Sequence, residues 1–275
     1  MIKTKHVFLI ILLLLTSILA YSVIQPSMLD VNEITVSSNQ IPIEFNNTKV
    51  ALVADFHYGT FVDQSRLQSV VEKVNEQNPD IIVLGGDYVT DDESKVDECF
   101  NQLTNLKAPL GIYAILGNND PKSKVIDTLD KTDNINYIGN KGVWIQKNNA
   151  QIRLGGIGDL STGTQNLKAT TENVSTSDFV ILAYHNPNYF PNLDNTNKST
   201  VDLSLSGHTH GGQINLFGYT PFLQKASNNN MYVSGLYTEG QNSLVVTNGI
   251  GEVKAPLRFM ATPQITIIKL VHNDN

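Results

Sequence analysis

The stretch that decides the fold is KVALVADFH, residues 49–57, in which a short apolar run ends on an aspartate and a histidine. Such a run is typical of a buried β-strand. Asp63 can cap a helix that follows, because apolar residues from Leu67 to Val74 recur at the i, i+3, i+4, i+7 spacing of one helix face. The predicted unit is a strand that delivers polar side chains at its carboxyl end, followed by an amphipathic helix.

The same pattern recurs along the chain. A buried-type strand at residues 80–84 precedes Gly85-Gly86-Asp87, and a helix around 94–106 leads to a strand at 111–116 and the loop 117–120. Alternating strands and helices predict right-handed βαβ units in a layered α/β fold. The second half is richer in strands, which we predict at 143–147, 151–157, 179–184, 201–205, 243–247 and 264–271.

Polar residues follow most of these strands. The residues at the strand ends are Asp55, His57, Asp87, Asn118, His185, His208 and His210. Each alone has an ordinary explanation as a turn or core residue. Because the carboxyl ends of strands in an α/β sheet gather at one crevice, we expect these side chains to converge there. Carboxylate, amide and imidazole groups that converge predict a metal site.

The order of the motifs resembles the calcineurin-like metallophosphoesterase superfamily: Asp-x-His, Gly-Asp, Gly-Asn, a lone His and then Gly-His-x-His. The resemblance spans residues 48–271, and the segments 207–213, 234–237 and 249–263 resemble bacterial membrane-associated or exported members. It implies a four-layer α/β/β/α sandwich of mixed sheets and a hydrolase that cleaves phosphate esters or pyrophosphates.

The resemblance also implies a site for two divalent ions. One ion would be held by Asp55, His57 and His210, and the other by Asn118, His185 and His208, with Asp87 bridging both. Oxygen and imidazole ligands without thiolate suit Mn, Fe or Zn, and the sequence does not choose among them. A metal-bridging hydroxide would attack phosphorus in line, so we expect no protein nucleophile. The expected catalytic residues are Asp87, Asn118 and Asn119.

Asn119 departs from the family pattern, which reads Gly-Asn-His-Asp and uses the His to protonate the leaving oxygen. An amide cannot replace that acid. One interpretation is a non-catalytic relative that binds metal or phospholipid. The other is a substrate whose leaving group departs without an acid, as in a pyrophosphate or an activated phosphodiester. The UDP-2,3-diacylglucosamine pyrophosphohydrolases of lipid A biosynthesis also lack this His, which favours a lipid-linked substrate.

Two further residues are candidates for substrate binding. Arg258, one of only three arginines, can bind a phosphate, although a structural role explains it equally well. Gln213 can orient a ligand loop, although it is also an ordinary polar residue at the start of a strand.

The first 24 residues differ in kind from the rest. Lys3, Lys5 and His6 precede an apolar run from Val7 to Ala20. A helix of about 18 residues covers about 27 Å, enough to cross the hydrocarbon core of a bilayer. We favour a single-pass anchor at 1–24, a linker at 25–47 and a catalytic domain at 48–271, with a cleaved signal peptide as the alternative. If the lysines before the helix stay in the cytoplasm, the catalytic domain lies outside it. This topology conflicts with a UDP-linked lipid substrate, because that precursor is made on the cytoplasmic face of the membrane.

Composition limits the partners. The formal net charge is −7, which disfavours a general affinity for nucleic acid, and the single cysteine, Cys99, excludes a disulfide within the chain. We therefore expect a phosphorylated small-molecule or lipid-linked substrate and contact with a membrane through the N-terminus.

Overall fold

The computed structural model describes residues 4–193, 200–221, 223 and 232–274. Lys3, one of the cations that flank the apolar run, lies outside the described residues. In chain order the strands are β1 (Asp30–Ser38), β2 (Lys49–Val53), β3 (Ile81–Leu84), β4 (Ile112–Ala114), β5 (Ile135–Tyr137), β6 (Lys141–Lys147), β7 (Ala150–Gly156), β8 (Val180–Ala183), β9 (Leu203–Ser206), β10 (Gly235–Glu239), β11 (Asn242–Val246) and β12 (Gln264–His272). The α-helices are α1 (Thr4–Ile24), α2 (Gln64–Glu76), α3 (Val96–Leu103), α4 (Lys122–Leu129) and α5 (Leu167–Thr170).

The strands form two mixed sheets of six strands each. The first has the order β1-β12-β2-β3-β4-β5 and the second the order β10-β11-β9-β8-β7-β6. Strands β2 to β5 run parallel to one another, as do β7, β8 and β9, so the ends of these strands open on the same edge of each sheet. The predicted α/β/β/α architecture of mixed sheets is confirmed.

Burial on both faces of the central strands creates the layers. In β2, Val50 and Leu52 belong to the apolar core between the two sheets, whereas Ala51 and Val53 pack on the helix side. This alternation follows from the two-residue period of a strand. Helices α2, α3 and α4 cover the first sheet, with the buried face of α2 running from Leu67 to Val74. The outer layer on the second sheet is thinner and includes the short α5 and a 3₁₀ segment at Pro187–Asn192.

Strand β1 lies within the segment that we expected to be a linker. It pairs in parallel with β12 over nine positions, from Asp30 with Gln264 to Ser38 with His272. Its side chains are mostly half-buried or exposed, which fits a strand at the edge of a sheet. Polar residues such as Asn32 and Glu33 interrupt the apolar pattern, so the sequence carried little sign of this strand.

Helix α1 is apolar on all sides and largely exposed. The most apolar 18-residue window of the helical span Thr4–Ser27 has a mean hydropathy of 2.8, and 6% of that window is buried. By length and composition it can cross a membrane, and a signal sequence has the same properties. Its carboxyl end, however, packs on the domain: Ser22 and Gln25 are buried, and the Ser22 carbonyl accepts a 3.0 Å hydrogen bond from the Arg258 backbone N–H.

Candidate metal centre

The side chains predicted as metal ligands converge at the edge where the two sheets meet. They arrive from the carboxyl ends of β2, β3, β4, β8 and β9, as the strand-end pattern predicted. Two groups form: Asp55, His57 and His210 in one, and Asp87, His185 and His208 in the other, with the potential ligand atoms of each group within 4.8 Å of one another.

The backbone at this edge is unusual. Five of the predicted ligands have positive φ angles, namely Asp55 (56°), His57 (46°), Asp87 (56°), His208 (71°) and His210 (53°). Residues other than glycine rarely adopt this left-handed conformation, and clusters of such residues mark functional sites. The left-handed turns bring the side chains back over the strand ends instead of letting them continue outward.

Gly86 allows two ligand loops to touch. It has a φ of +91°, and a Cβ atom on it would lie 2.3 Å from the backbone nitrogen of Gly117. Any other residue there would push the loop of Asp87 away from the loop of Asn118. The glycine is therefore needed for both the conformation and the close approach.

Interatomic distances within the site match those expected around bound ions. Nε2 of His57 lies 3.2 Å from Nε2 of His210 and 3.5 Å from Oδ2 of Asp87. Nε2 of His210 lies 3.6 Å from Oδ1 of Asp55, and Nε2 of His185 lies 3.2 Å from Oδ2 of Asp87. Ligand atoms that are each about 2.1 Å from one ion in tetrahedral geometry lie about 3.4 Å apart. Asp87 reaches both groups of imidazoles, which is the position of a bridging ligand.

Hydrogen bonds fix the imidazole tautomers. Nδ1 of His185 lies 2.8 Å from the Gly85 carbonyl, and Nδ1 of His210 lies 3.0 Å from the Gly251 carbonyl. Since a carbonyl only accepts, each Nδ1 carries a hydrogen, and in the neutral form of each imidazole Nε2 carries a lone pair directed into the site. This is the usual outer-shell arrangement of metal-binding histidines.

Two atoms of the site are among the buried polar atoms that have no hydrogen-bond partner in the described part of the chain. They are Oδ1 of Asn118 and Nε2 of His185. Nε2 of His185 is close to Asp87, but the contact does not have hydrogen-bond geometry. A buried polar atom without a partner is costly, and a bound cation would satisfy both atoms.

The charge balance of the site also favours cations. Asp55 and Asp87 are buried, and burial raises the pKa of Asp55 to about 7. Burial alone would lower the pKa of His185, yet the negative charges of Asp87 and Asp55 raise it to about 10. By contrast, burial lowers the pKa of His208 to about 4 and also lowers the pKa values of His57 and His210, so these imidazoles stay neutral and available as ligands. Two buried carboxylates beside three imidazoles that stay neutral suit a pair of divalent ions.

Comparison with known proteins identifies the family. A profile for the calcineurin-like phosphoesterases matches residues 48–212. The chain belongs to the calcineurin-like phosphoesterase family. It is 30% identical over 256 residues to an uncharacterized metallophosphoesterase, YkuE, of Bacillus subtilis, covering 90% of this chain and 87% of that protein. It is 33% identical over 233 residues to the phosphodiesterase YaeI of Escherichia coli, covering 81% and 82% of the two chains.

The fold is similar to that of a solved structure. The crystal structure of TT1561 of Thermus thermophilus matches with a TM-score of 0.51 at 13% identity, over 74% of this chain and 91% of that one. The chain is thus a metallophosphoesterase, a hydrolase with a candidate site for two metals, and it acts on a phosphorylated substrate.

Asn119 is hydrogen-bonded to the carboxylate of Asp87. Its backbone N–H donates to Oδ1 of Asp87 at 2.8 Å, and its side-chain Nδ2 donates to Oδ2 at 2.7 Å. The residue in the family's acid position therefore reaches the centre of the site as a hydrogen-bond donor without an acidic proton.

Asp120 joins the same two loops and was not singled out from the sequence. Its buried carboxylate accepts hydrogen bonds from the backbone N–H groups of Asp87 (2.9 Å), Tyr88 (2.7 Å) and Gly117 (2.8 Å). It therefore sets the distance between the loop that carries Asp87 and the loop that carries Asn118. An acidic residue after Gly-Asn-Asn was the available signal, but it is also ordinary turn chemistry.

Arg258 occupies a different place from the one expected for a substrate-binding residue. It is fully buried, and its guanidinium donates to Glu252 Oε1 and to backbone carbonyls. The carbonyls are those of His210, Asn248, Gly249, Gly251 and Ala261. With every guanidinium nitrogen engaged in this way, Arg258 ties the loop of His210 to the segment 248–261.

Gln213 also acts within the protein. Its side-chain Nε2 donates to the carbonyls of Val253 (2.8 Å) and Ala255 (3.1 Å), and its Oε1 accepts from the Val253 N–H (3.0 Å). Both neighbours of Lys254 are thereby clamped. Lys254 has a φ of +64° and an exposed side chain that lines a cavity of about 240 Å³ together with Asp87 and Asn119. Nothing in the sequence pattern singled out Lys254, because the clamp joins residues 40 positions apart.

We predict that the site binds two divalent ions per chain. We also predict that a substitution in one imidazole group weakens the binding of one ion more than that of the other. Purified wild-type protein should contain about two equivalents of metal, whereas His185→Ala and His57→Ala should each lose one ion preferentially. Asp87→Ala should weaken both, since the Asp87 carboxylate lies close to imidazoles of both groups. The measurement is elemental analysis combined with titration calorimetry after chelation. His272→Ala, on an imidazole bonded to the Ile41 carbonyl at 2.6 Å, is the control and should retain both ions.

We predict that Arg258 supports stability and not substrate affinity. Arg258→Lys should lower the free energy of unfolding by about 3–5 kcal/mol, because Lys cannot replace the fork of donors and leaves buried carbonyls unpaired. Arg66→Lys is the matched control: Arg66 also pairs with Glu252, at 2.7 Å, but its side chain is 22% exposed, so the loss should be smaller. Urea unfolding measures both. A raised KM for Arg258→Lys with unchanged stability would contradict this assignment.

Proposed function

We propose that this protein is a membrane-anchored dinuclear metallophosphoesterase that cleaves a phosphodiester or pyrophosphate bond in a lipid-linked substrate. The single observation that carries the choice of bond is Asn119 in the acid position, bonded to both oxygens of Asp87. A general acid contributes about 10²–10⁴-fold to the rate when the leaving group is poor. Without one, the site suits leaving groups that depart as stable anions.

The ligand roles that we propose follow the two groups. Asp55, His57 and His210 hold one ion, Asn118, His185 and His208 hold the other, and Asp87 contacts both. Bound at this place, the ions supply positive charge for the phosphoryl oxygens and lower the pKa of water. The chain itself orients the imidazoles through the carbonyls of Gly85 and Gly251 and spaces the two loops through Asp120.

Lys254 is our candidate for holding a second anionic group of the substrate. In a chain with a net charge of −7, it places an exposed cation on the wall of the catalytic cavity. The clamp of Gln213 on Val253 and Ala255 holds its backbone in place. A pyrophosphate, or a phosphodiester with a neighbouring phosphate, has two anionic groups. The metal ions would hold the group that is cleaved, and the Lys254 ammonium would hold the other.

Membrane anchoring rests on α1 and on the way its carboxyl end packs. Retention of the helix is favoured because Ser22 and Gln25 are buried on the domain, and cleavage after them would remove these contacts. With lysine on the amino-terminal side, the domain would lie outside the cytoplasm. In that topology another phosphorylated lipid or cell-wall component is a better substrate than UDP-2,3-diacylglucosamine. We further propose that the catalytic domain begins at β1.

The choice of leaving group is testable on the wild-type protein. With Mn²⁺ we expect turnover of bis-(p-nitrophenyl) phosphate and of a pyrophosphate-linked lipid, and little turnover of an alkyl phosphate monoester. UDP-2,3-diacylglucosamine belongs in the same panel. Absence of turnover on every substrate would support the other candidate, a metal- or phospholipid-binding relative without activity, and would end the enzymatic proposal.

Asn119→His should restore an acid. We expect alkyl monoester hydrolysis to rise by about tenfold or more, with little change on bis-(p-nitrophenyl) phosphate, whose leaving group needs no proton. Asn119→Gln is the control, because it retains the amide and supplies no acid. Equal effects of the two substitutions on the monoester would contradict the leaving-group explanation.

Lys254→Gln should raise KM for an anionic substrate by roughly twofold to fivefold, the range expected for a solvent-exposed ion pair, with kcat nearly unchanged. The increase should fall at high ionic strength because salt screens such a contact. Lys73→Gln, on the exposed face of α2, is the control and should leave KM unaltered. A kcat loss without a KM change would place Lys254 in the chemical step instead.

A further inference from the structure

An exposed apolar turn lies on the surface close to the catalytic cavity. It consists of Leu216, Phe217, Gly218 and Tyr219, and we refer to it as the 216–219 turn. Phe217 is 88% exposed, the most of any large apolar side chain in the described part of the protein, and Leu216 and Tyr219 are 43% and 54% exposed. Reciprocal backbone bonds between Leu216 and Tyr219, at 2.8 and 3.2 Å, close the turn.

The conformation of Phe217 adds to the cost of its exposure. It has a φ of +55°, a left-handed conformation that glycine or asparagine would adopt more readily. Gly218 follows with a φ of +97°, and its N–H is bonded to the Asn215 side chain at 2.6 Å. The aromatic ring of Phe217 is therefore unfavourable here for two reasons. It is exposed to water, and its backbone has a left-handed conformation that a bulky residue rarely adopts. Such a residue indicates contact with an apolar partner.

The turn is attached to the segment on which α1 packs. The Asn215 N–H donates to the Phe259 carbonyl at 2.8 Å, and the Phe259 N–H donates to the Gln213 carbonyl at 2.9 Å. On its other side, the Phe259 ring meets the Tyr21 ring edge to face, with centroids 5.7 Å apart. Phe259 therefore links the base of the turn directly to the carboxyl end of the apolar helix.

This attachment limits how far the turn can lie from the end of α1. Phe217 follows Asn215 by two positions, a span of at most about 7 Å. The apolar run of α1 reaches Tyr21, and aromatic residues of this kind occupy the interface between lipid and water. Met260, next to Phe259, is also 45% exposed. Helix end, Met260 and turn form one continuous apolar surface.

We infer that the 216–219 turn, together with Met260, inserts into the lipid–water interface beside α1. The partner is the bilayer surface, because the apolar surface is continuous with the helix that we propose to cross it. This inference rests on the membrane anchoring proposed above and adds a second point of contact, which fixes the orientation of the domain. Gly212 and Gln213, which shortly precede the turn, line the catalytic cavity. Insertion of the turn would therefore bring the cavity close to the lipid headgroups and their phosphoester groups.

The test uses full-length protein reconstituted in vesicles of phosphatidylethanolamine and phosphatidylglycerol. Phe217→Cys carries an environment-sensitive fluorophore, and the natural Cys99 stays unlabelled because it is fully buried. We expect blue-shifted emission and quenching by lipids that bear a doxyl group near the headgroup. Ile43→Cys is the matched control: Ile43 is 60% exposed, lies shortly before β2 at the edge opposite the catalytic one, and should give water-like, unquenched emission. This readout requires no turnover.

A second variant measures the consequence for activity. Phe217→Asn removes the apolar ring and suits the left-handed backbone, so the fold should be retained. Loss of a buried aromatic contact should lower kcat/KM on a vesicle-embedded phosphodiester by roughly tenfold to a hundredfold. Activity on soluble bis-(p-nitrophenyl) phosphate should stay within about twofold, a change worth less than about 0.5 kcal/mol. Ile43→Asn should change neither activity.

The outcomes separate this inference from the proposed function. Unquenched emission at residue 217, with soluble activity intact, would overturn the membrane contact and leave the enzymatic proposal standing. Emission that is blue-shifted but insensitive to doxyl lipids, and that depends on protein concentration, would assign the turn to a second copy of the chain and would equally overturn it. Quenching at residue 217 without any turnover would support the membrane contact and count against the enzyme.

Discussion

Four buried carboxylates, from Asp55, Asp87, Asp120 and Asp159, lie near the edge where the two sheets meet. Charges removed from water must be compensated locally, and the surrounding structure does this in two ways. Asp120 accepts from three backbone N–H groups, and Oδ1 of Asp159 accepts from the N–H and hydroxyl groups of Ser161 and Thr162. The other pair, Asp55 and Asp87, faces imidazoles such as those of His185 and His210, whose Nδ1 hydrogens are donated to backbone carbonyls.

The difference between these two pairs of carboxylates explains the unfavourable backbone angles in the loops that carry Asp55 and Asp87. A carboxylate that faces only backbone and hydroxyl donors fixes a loop. The carboxylates of Asp55 and Asp87 also accept from backbone N–H groups, but they must in addition be turned inward to face the imidazoles. Positive φ angles at Asp55 and Asp87, and the absence of a side chain at Gly86, achieve that turn. The cost in backbone strain is tolerated because sheets with fully buried strands hold both ends of each loop.

The sequence predicted which side chains gather at this sheet edge for a simple reason. Most of them closely follow an apolar run that is typical of a buried strand. A residue that follows such a strand lies at the edge of the sheet, so its place in the sequence predicts its place in the fold. Residues whose role depends on distant partners were not predictable in this way. Arg258 acts through carbonyls of His210 and Gly251, and Lys254 is positioned by Gln213, so their roles became visible only in three dimensions. Strand β1 escaped prediction because an edge strand needs no continuous apolar run.

The pairing of β1 with β12 has a mechanical consequence. Only residues 25–29 separate α1 from β1. With α1 held in a membrane, as we propose, a force that draws the domain away from it would act on the amino end of that strand. The strand is joined in parallel to β12 at nine positions. A pull along it loads these hydrogen bonds together, in shear, instead of opening them one after another. In that arrangement, the pairing with β12 would resist tension without peeling an edge strand off the first sheet.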